Sequence, residues 1–190
     1  MKWQVKSTKY VVKDKWISLR SDECILPNGK TIEPYYVLEY PDWVNVVPVT
    51  AGKEIIMLKQ YRHGINDMIL EIPCGSIEKT DGSPVNAAKR ELLEETGYAS
   101  DNFIQLCKLS PNPANHSNIT YCYLALEATL KQEQRLDDTE QIEIVKIPLS
   151  EVKSLLKNNM ISQALHAAAL FYALNYMESE SGIPNALRRP

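Results

Sequence analysis

The feature that most constrains this chain is a capped helical segment near its centre, residues 83–97. Ser83 is a good N-cap, and Pro84 suits the first helical position because its missing N–H would be unpaired there anyway. Gly97 stands where a left-handed C-terminal cap is expected. Strand-like runs rich in apolar residues flank this segment on both sides. The sequence therefore predicts an α+β fold, with a mixed sheet and helices packed against it.

The remaining elements follow from alternation, β-branched content and turn residues. Strands are predicted at residues 15–19, 23–26, 31–40, 43–49, 54–58, 68–72, 103–109, 119–128 and 142–147. Turns are predicted at 27–30 and 51–53, helices at 150–157 and 161–177, and a loosely ordered tail from residue 178 onward. These elements suffice for one well-cored domain in a chain of 190 residues.

Composition excludes several classes of protein. A net charge of −3 provides no global basic field for a nucleic-acid backbone. The four cysteines form no C-x-x-C pair, which argues against a structural zinc site and favours reduced thiols. The sequence has no signal-peptide core and no apolar stretch of membrane-spanning length. A cytoplasmic protein is therefore expected.

The central helix carries three acidic residues on one side. Glu91, Glu94 and Glu95 are spaced i, i+3 and i+4, so their side chains are neighbours about 5–6 Å apart. Like charges at this spacing destabilise a helix unless a cation offsets the repulsion, and Mg²⁺ prefers carboxylate oxygens. Apolar residues on an adjoining stripe, including Leu92, can pack against the sheet. Three glutamates alone are more often a solvated face, so the neighbouring residues decide between the two interpretations.

The stretch from Arg90 to Tyr98 resembles the second half of the Nudix hydrolase signature: Arg-Glu, apolar, any, Glu-Glu, any, Gly, apolar. The first half departs from that signature. Fourteen residues separate Gly75 from Arg90 where the family has thirteen, and the position of the expected Glu is occupied by Gly82. We interpret this as a one-residue insertion in the loop, with Asp81 taking the supporting role.

The resemblance implies a site for Mg²⁺ or Mn²⁺. It implies that Glu91 and Glu95 are metal ligands, and that Glu94 is a third ligand or holds a coordinated water. The backbone carbonyl of Cys74 would be a further ligand, whereas its thiol has no expected role as a nucleophile. Arg90 would orient a carboxylate. If all three glutamates bind metal, a general base must come from outside the helix.

In relatives that hydrolyse ADP-ribose, the base is a glutamate on a loop before a late strand. Here the acidic segment 137–143 stands at that place, and Glu140 is the chosen residue, with Asp138 and Glu143 as alternatives. An ordinary acidic loop is the competing interpretation.

The resemblance extends over residues 16–176 and is closest to hydrolases of ADP-ribose and nucleotide sugars. It implies that Arg62, in a Lys-Gln-aromatic-Arg segment, contacts a substrate phosphate, for which a guanidinium is well suited. Glu71 is either a site residue or a buried structural carboxylate. Asn112 lies in a loop where that subfamily carries Ser-Pro or Asp-Pro. Here Asn112-Pro113-Ala114 replaces the more familiar Pro-Gly, and this difference weakens the expectation of strict selectivity for ADP-ribose.

In that subfamily the N-terminal antiparallel strands form a homodimer and contribute an aromatic residue that stacks on the base. Trp16 stands at that position, with Tyr35 or Tyr36 as a second face, although aromatic residues in strands are more often core residues. Three regions are therefore expected: strands for dimerisation and substrate contact at 1–40, a Nudix hydrolase domain at 41–178, and a tail at 179–190.

The resulting hypothesis is a homodimeric, metal-dependent hydrolase of a nucleoside diphosphate sugar such as ADP-ribose, with no nucleic-acid or membrane partner. The first alternative is a Nudix hydrolase that acts on nucleoside triphosphates or dinucleoside polyphosphates. The second alternative is a non-catalytic module that senses a nucleotide sugar.

Overall fold

The structure is a computed structural model that describes residues 2–137 and 139–182, without the side chains of the last three residues. Its backbone forms two compact units. The first comprises the chain up to Asp42 together with Ser110–Ile119, and the second comprises Trp43–Leu109 and the chain from Thr120 onward. No helix within the described ranges is long and apolar enough to cross a membrane.

The first unit is an antiparallel sheet in the order β1-β2-β3, formed by β1 (Gln4–Lys13), β2 (Ser18–Ile25) and β3 (Thr31–Leu38). The loop Ser110–Ile119 is tied to the end of β3, because the N–H of Leu38 donates to the carbonyl of Asn115 and that of Ser117 donates to the carbonyl of Leu38. The antiparallel N-terminal strands are thus confirmed.

Two details of the N-terminal prediction are wrong. Residues 15–19 and 23–26 are not two strands, because Asp14 accepts hydrogen bonds from the N–H groups of Trp16 and Ile17 and bends the chain before a single strand β2. Strand β1 was missed altogether, because all ten of its residues are exposed and it carries no buried apolar face to detect. Backbone pairing with β2 holds it.

The second unit is built on a mixed sheet in the order β12-β5-β4-β10-β9. Its main strands are β4 (Trp43–Val49), β5 (Glu54–Arg62), β9 (Asn102–Leu109), β10 (Thr120–Leu126) and β12 (Ile142–Pro148). Strands β4 and β10 are parallel, whereas the other neighbours are antiparallel. Strand β6 (Asp67–Glu71) pairs with β5, and the short β7 (Cys74–Ser76) pairs with β4. Strands β8 (Tyr98–Ala99) and β11 (Thr129–Leu130) form a separate pair.

Helices cover both faces of this sheet, which confirms the predicted architecture. Helix α1 (Pro84–Thr96) packs through Leu92 against one face, where Val44 and Val46 project. The opposite face, with Val47 and Val49, is covered by α2 (Val152–Lys157) and α3 (Ala164–Gly182). Because residues on both faces of β4 are buried, this strand is mostly apolar and shows no polar–apolar alternation, with Asn45 as the polar exception.

Helix α1 has the predicted boundaries. The Ser83 side chain accepts a hydrogen bond from the N–H of Asn86, Pro84 is the first helical residue, and Gly97 is left-handed with φ of 72°. The chain end differs from the prediction, since α3 continues to Gly182 instead of ending near residue 177. The rest of the expected tail, residues 183–190, lies outside the described residues.

Candidate active site

The three glutamates of helix α1 differ in how far their side chains are exposed to solvent. The Glu94 side chain is 43% exposed, the Glu91 side chain is 13% exposed, and Glu95 is buried. Burial raises the pKa of Glu91 to about 7 and that of Glu95 to about 9. The negative charge on this side of the helix is therefore unstable unless a cation offsets it.

Arg90 ties the loop before the helix to the helix itself. Its Nε and Nη2 donate to the two carboxylate oxygens of Asp81 at 2.9 Å each, and Nη2 also donates to the carbonyl of Ser76 at 3.0 Å. Its Nη1 donates to Glu91 at 2.9 Å and to Glu94 at 3.1 Å. Arg90 thus orients carboxylates, as expected, and Asp81 braces the loop.

Strand β7 passes close to the glutamates. A Cβ placed on Gly75 would lie 2.0 Å from Oε1 of Glu91, so only glycine leaves that carboxylate room. The N–H of Cys74 donates to Oε2 of Glu95 at 2.9 Å. The pKa of the Cys74 thiol is raised well above its ordinary value, first by burial and then by the neighbouring carboxylates. A thiol in this state is a poor nucleophile.

These residues open onto a cavity of about 630 Å³, large enough for a nucleotide-sized ligand. Its lining comes from the second unit. The lining residues are Trp43, Asn45, Gln60, Arg62, Cys74, Gly75, Ser76, Glu78, Arg90, Glu91, Glu94, Glu95, Arg135, Asp137, Glu140, Gln163, Leu165 and His166. The cavity therefore joins all the predicted metal ligands with Arg62 and Glu140.

The loop that carries Glu140 is fastened to the C-terminal end of α1. The Gln134 amide donates to the carbonyl of Glu95 at 2.6 Å, and the N–H of Arg135 donates to the carbonyl of Glu94 at 2.8 Å. These bonds satisfy carbonyls that a helix end leaves unpaired. The Glu140 carboxylate is close enough to raise the pKa of both Glu91 and Glu95. Of its alternatives, Glu143 lies exposed on β12, and Asp138 is outside the described residues.

The donor set suits a hard divalent cation, because it offers carboxylates and main-chain oxygens at a place where burial disfavours uncompensated charge. Within residues 2–137 and 139–182, however, no three His, Cys, Asp or Glu side chains are arranged to hold a metal ion. Arg90 draws Glu91 and Glu94 to itself, and the N–H of Cys74 holds Glu95. The residue types fit a cation, and the carboxylates must turn away from these donors to bind one.

Arg62 and Glu71 form an ion pair at the other end of the cavity. Arg62 Nε donates to Oε2 of Glu71 at 2.8 Å, and the Glu71 side chain is buried whereas the Arg62 side chain is 41% exposed. His166, in the first turn of α3, is buried beside them with its Nδ1 at 3.8 Å from Oε1 of Glu71. Glu71 is thus both a buried carboxylate and a support for a residue that lines the site.

Several lining residues were missed at the sequence level, among them Asn45, Arg135, Gln163 and His166. Arg135 is a loop residue with no motif to single it out. Asn45 and His166 are buried polar residues within otherwise apolar runs, Asn45 in a strand of the sheet and His166 in the helix that packs against it. A polar residue at a buried position is the pattern that could have identified them from the sequence.

The predicted base-stacking and loop residues belong to the first unit. Trp16 lies in the bend before β2 and is 75% exposed, so it is not the strand residue that was expected. Tyr35 lies on β3, where its hydroxyl donates to the carbonyl of Ala114 and its ring contacts that of Trp3 edge-on. Asn112 forms a turn in which its side chain accepts from the N–H of Ala114.

Comparison with known proteins identifies the family of this chain. A family model described as the nucleoside diphosphate sugar hydrolase N-terminal domain matches residues 3–38, and one described as the NUDIX domain matches residues 39–168. ADP-ribose pyrophosphatase of Bacillus subtilis (strain 168) is 32% identical over 170 residues, covering 89% of each chain. Methanol dehydrogenase activator of Bacillus methanolicus is 30% identical over 166 residues, covering 87% of this chain and 89% of that protein.

The fold has a solved counterpart. The crystal structure of an ADP compounds hydrolase superposes with a TM-score of 0.85 at 23% identity, covering 96% of this chain and 98% of the other. The NUDIX match spans most of the chain, and it contains the acidic helix, the Gly75 strand and the Glu140 loop. The chain belongs to the Nudix family and is a Nudix hydrolase.

Proposed function

We propose that this chain hydrolyses the pyrophosphate bond of ADP-ribose or a related nucleoside diphosphate sugar, releasing a nucleoside monophosphate and a sugar phosphate. The observation that carries the proposal is the joining of Glu91, Glu94, Glu95, Glu140 and Arg62 in one cavity. The N-terminal match to a nucleoside diphosphate sugar hydrolase domain and the similarity to an ADP-ribose pyrophosphatase support the substrate class.

Nudix hydrolases generally require divalent cations, and we propose Mg²⁺ or Mn²⁺ here. Glu91, Glu95, Glu94 and the backbone carbonyl of Cys74 would hold the cation, whose charge stabilises the diphosphate and activates water when it is bound. Arg90 would then release Glu91 and Glu94 while keeping its two bonds to Asp81. The loop would remain braced during this change.

We assign the removal of the proton from the attacking water to Glu140. Glu140 lines the cavity, and its loop is held to α1 by hydrogen bonds from the Gln134 side chain and from the backbone N–H of Arg135. Glu94, the most exposed of the three glutamates, would position the same water. Arg62 would neutralise charge on a non-bridging phosphate oxygen, since its side chain lines the cavity while Nε donates to Glu71 and Nη2 makes a long contact of 3.9 Å with Sγ of Cys74.

We propose that the N-terminal region, residues 1–40, forms a homodimer and contributes to substrate binding. Strand β1 has all of its residues exposed, including Val5, Tyr10 and Val11 at 48–54%, and among the described residues it pairs with β2 alone. A long edge strand that exposes four large apolar side chains, the fourth being Val12, is unusual in a monomer. Trp16 and Tyr35 remain the proposed base-stacking residues, and Asn112 the proposed contact from the 110–119 loop.

The test is product release from ADP-ribose, GDP-mannose, UDP-glucose, ATP and a dinucleoside polyphosphate, each with EDTA, Mg²⁺ or Mn²⁺. Metal-dependent release of AMP from ADP-ribose would support the proposal, and rates on the other sugars would define its breadth. Turnover of ATP or the dinucleotide alone would replace it with another Nudix activity. Binding of ADP-ribose without any turnover would indicate a sensor.

A further inference from the structure

A buried side chain lies behind the Arg62–Glu71 pair and has no part in the proposed chemistry. His166 is 1% exposed and occupies the first turn of α3. The backbone N–H of His166 donates to Oε1 of the Gln163 side chain at 3.0 Å, and this bond caps the first turn of the helix. His166 falls on the same stripe as Ala169, Leu170 and Ala173, which pack against the sheet. A polar ring therefore stands where the packing pattern calls for an apolar residue.

The Nδ1 atom of this ring faces a carboxylate. It lies 3.8 Å from Oε1 of Glu71, and within the described part of the chain it has no hydrogen-bond partner. Burial and the nearby Arg62 lower the pKa of His166 to about 3, so the imidazole is neutral and one ring nitrogen carries a proton. The separation is too long for a hydrogen bond, and closing it by about 1 Å would form one.

The two oxygens of Glu71 face different partners. Oε2 accepts from Nε of Arg62 at 2.8 Å, whereas Oε1 is the oxygen nearest His166. A carboxylate with both oxygens available to an arginine tends to bind it through two parallel bonds. Such a pairing would engage a second nitrogen of Arg62 and turn it away from the cavity. A hydrogen-bond donor that occupies Oε1 leaves only Oε2 for Arg62, so the ion pair keeps a single hydrogen bond.

We propose that His166 is a positioning residue, which closes on Oε1 of Glu71, donates to it and so keeps the ion pair on Nε of Arg62. The outer nitrogens, of which Nη2 makes only a long contact of 3.9 Å with Sγ of Cys74, then stay available to a substrate phosphate. The inference rests on the proposed function in so far as Arg62 binds phosphate. It adds a residue of α3 that acts through Glu71 without touching the substrate. Its effect should appear in substrate affinity more than in the chemical step.

Three substitutions separate this role from simple packing. His166→Asn places an amide nitrogen near the position of Nδ1, His166→Gln places one near Nε2, and His166→Leu removes the donor while keeping an apolar side chain. We expect His166→Leu and His166→Gln to raise KM for the nucleotide sugar about tenfold, with kcat within about twofold. His166→Asn should remain close to the unmodified protein. Thermal melting of each variant checks that it is folded.

A mutant cycle with Arg62→Ala provides the decisive kinetic comparison. Once the guanidinium is gone, His166→Leu should raise KM no further, because nothing is left to position. Multiplying effects in the double variant would overturn the proposal, as would equal defects in His166→Asn and His166→Leu. Either result would mean that His166 supports the fold in general.

A crystal structure of His166→Leu tests the same inference without turnover. We expect Glu71 to contact Arg62 through two hydrogen bonds in that variant and through Nε alone in the unmodified protein. An unchanged single contact would overturn the inference even if the enzyme hydrolyses ADP-ribose. A changed contact in a protein that hydrolyses no nucleotide sugar would sustain it and refute the proposed function.

Discussion

The contact between Gly75 and Glu91 allows a sharp test of the site. In Gly75→Ala, the new Cβ would lie 2.0 Å from Oε1 and 2.1 Å from Cδ of Glu91. Real Cβ atoms approach heavy atoms no closer than about 3 Å, so the carboxylate must move by about 1 Å or more. Because the obstruction is the end of a side chain and not backbone, Glu91 can rotate away without unfolding the strand.

The cost should therefore fall on activity more than on stability. A displacement of about 1 Å in a reacting group can reduce turnover about 10²-fold, whereas we expect the free energy of unfolding to change by less than about 1–2 kcal/mol. Metal-dependent AMP release from ADP-ribose gives the first quantity, and urea denaturation gives the second. A Mn²⁺ titration should show weaker cation binding.

Gly64→Ala is the matched control. Gly64 lies in the turn between β5 and β6, and a Cβ there would have nothing within 4 Å. This variant should keep both its activity and its stability. Equal activity of Gly75→Ala and Gly64→Ala would refute the argument that Glu91 must lie against a bare backbone to function.

Four further predictions address other parts of the protein. Glu95→Gln should remain folded and lower turnover by more than about 10²-fold, which exceeds the usual loss when a residue that only supports a metal ligand is replaced. Near-normal activity would contradict the assignment of Glu95 as a metal ligand. Glu140→Gln should lower kcat about 10²- to 10⁴-fold with little change in KM, so an unchanged pH–rate profile and kcat would exclude it as the base. Asp81→Asn should lower the free energy of unfolding at pH 7 by about 1–2 kcal/mol in urea titrations, because it removes the negative charge and one of the two oxygens that accept from Arg90. Hydrogen bonds from Arg90 lower the pKa of Asp81 in the folded protein. The stability that the Asp81 carboxylate contributes is therefore fully present above the ordinary carboxyl pKa near 4 and is lost as the pH falls through the lower pKa of the folded state. The free energies of unfolding of Asp81→Asn and of the unmodified protein should thus converge in acid. Val11→Asp on β1 should yield monomers by light scattering, and a dimer of unchanged strength would place the interface elsewhere.

Local sequence predicted the elements whose boundaries depend on their own residues. Helix α1 was found with both caps because Ser83, Pro84 and Gly97 act on neighbouring backbone groups. Strand β4 was found because burial on both faces makes it mostly apolar, with Asn45 as the exception. By contrast, β1 escaped detection because its stability comes from pairing with β2, and its exposed residues leave no pattern.

The chemistry of the site was readable from the sequence for the same reason. Glu91, Glu94 and Glu95 share one helix, so their spacing fixes their proximity before any tertiary contact forms. Only the tertiary structure decided how distant segments meet: that Gly75 lies against Glu91, that the Glu140 loop is fastened to the end of α1, and that His166 lies behind Glu71. Such contacts depend on how β7, α1 and α3 pack around one sheet, and no spacing along the chain encodes those distances.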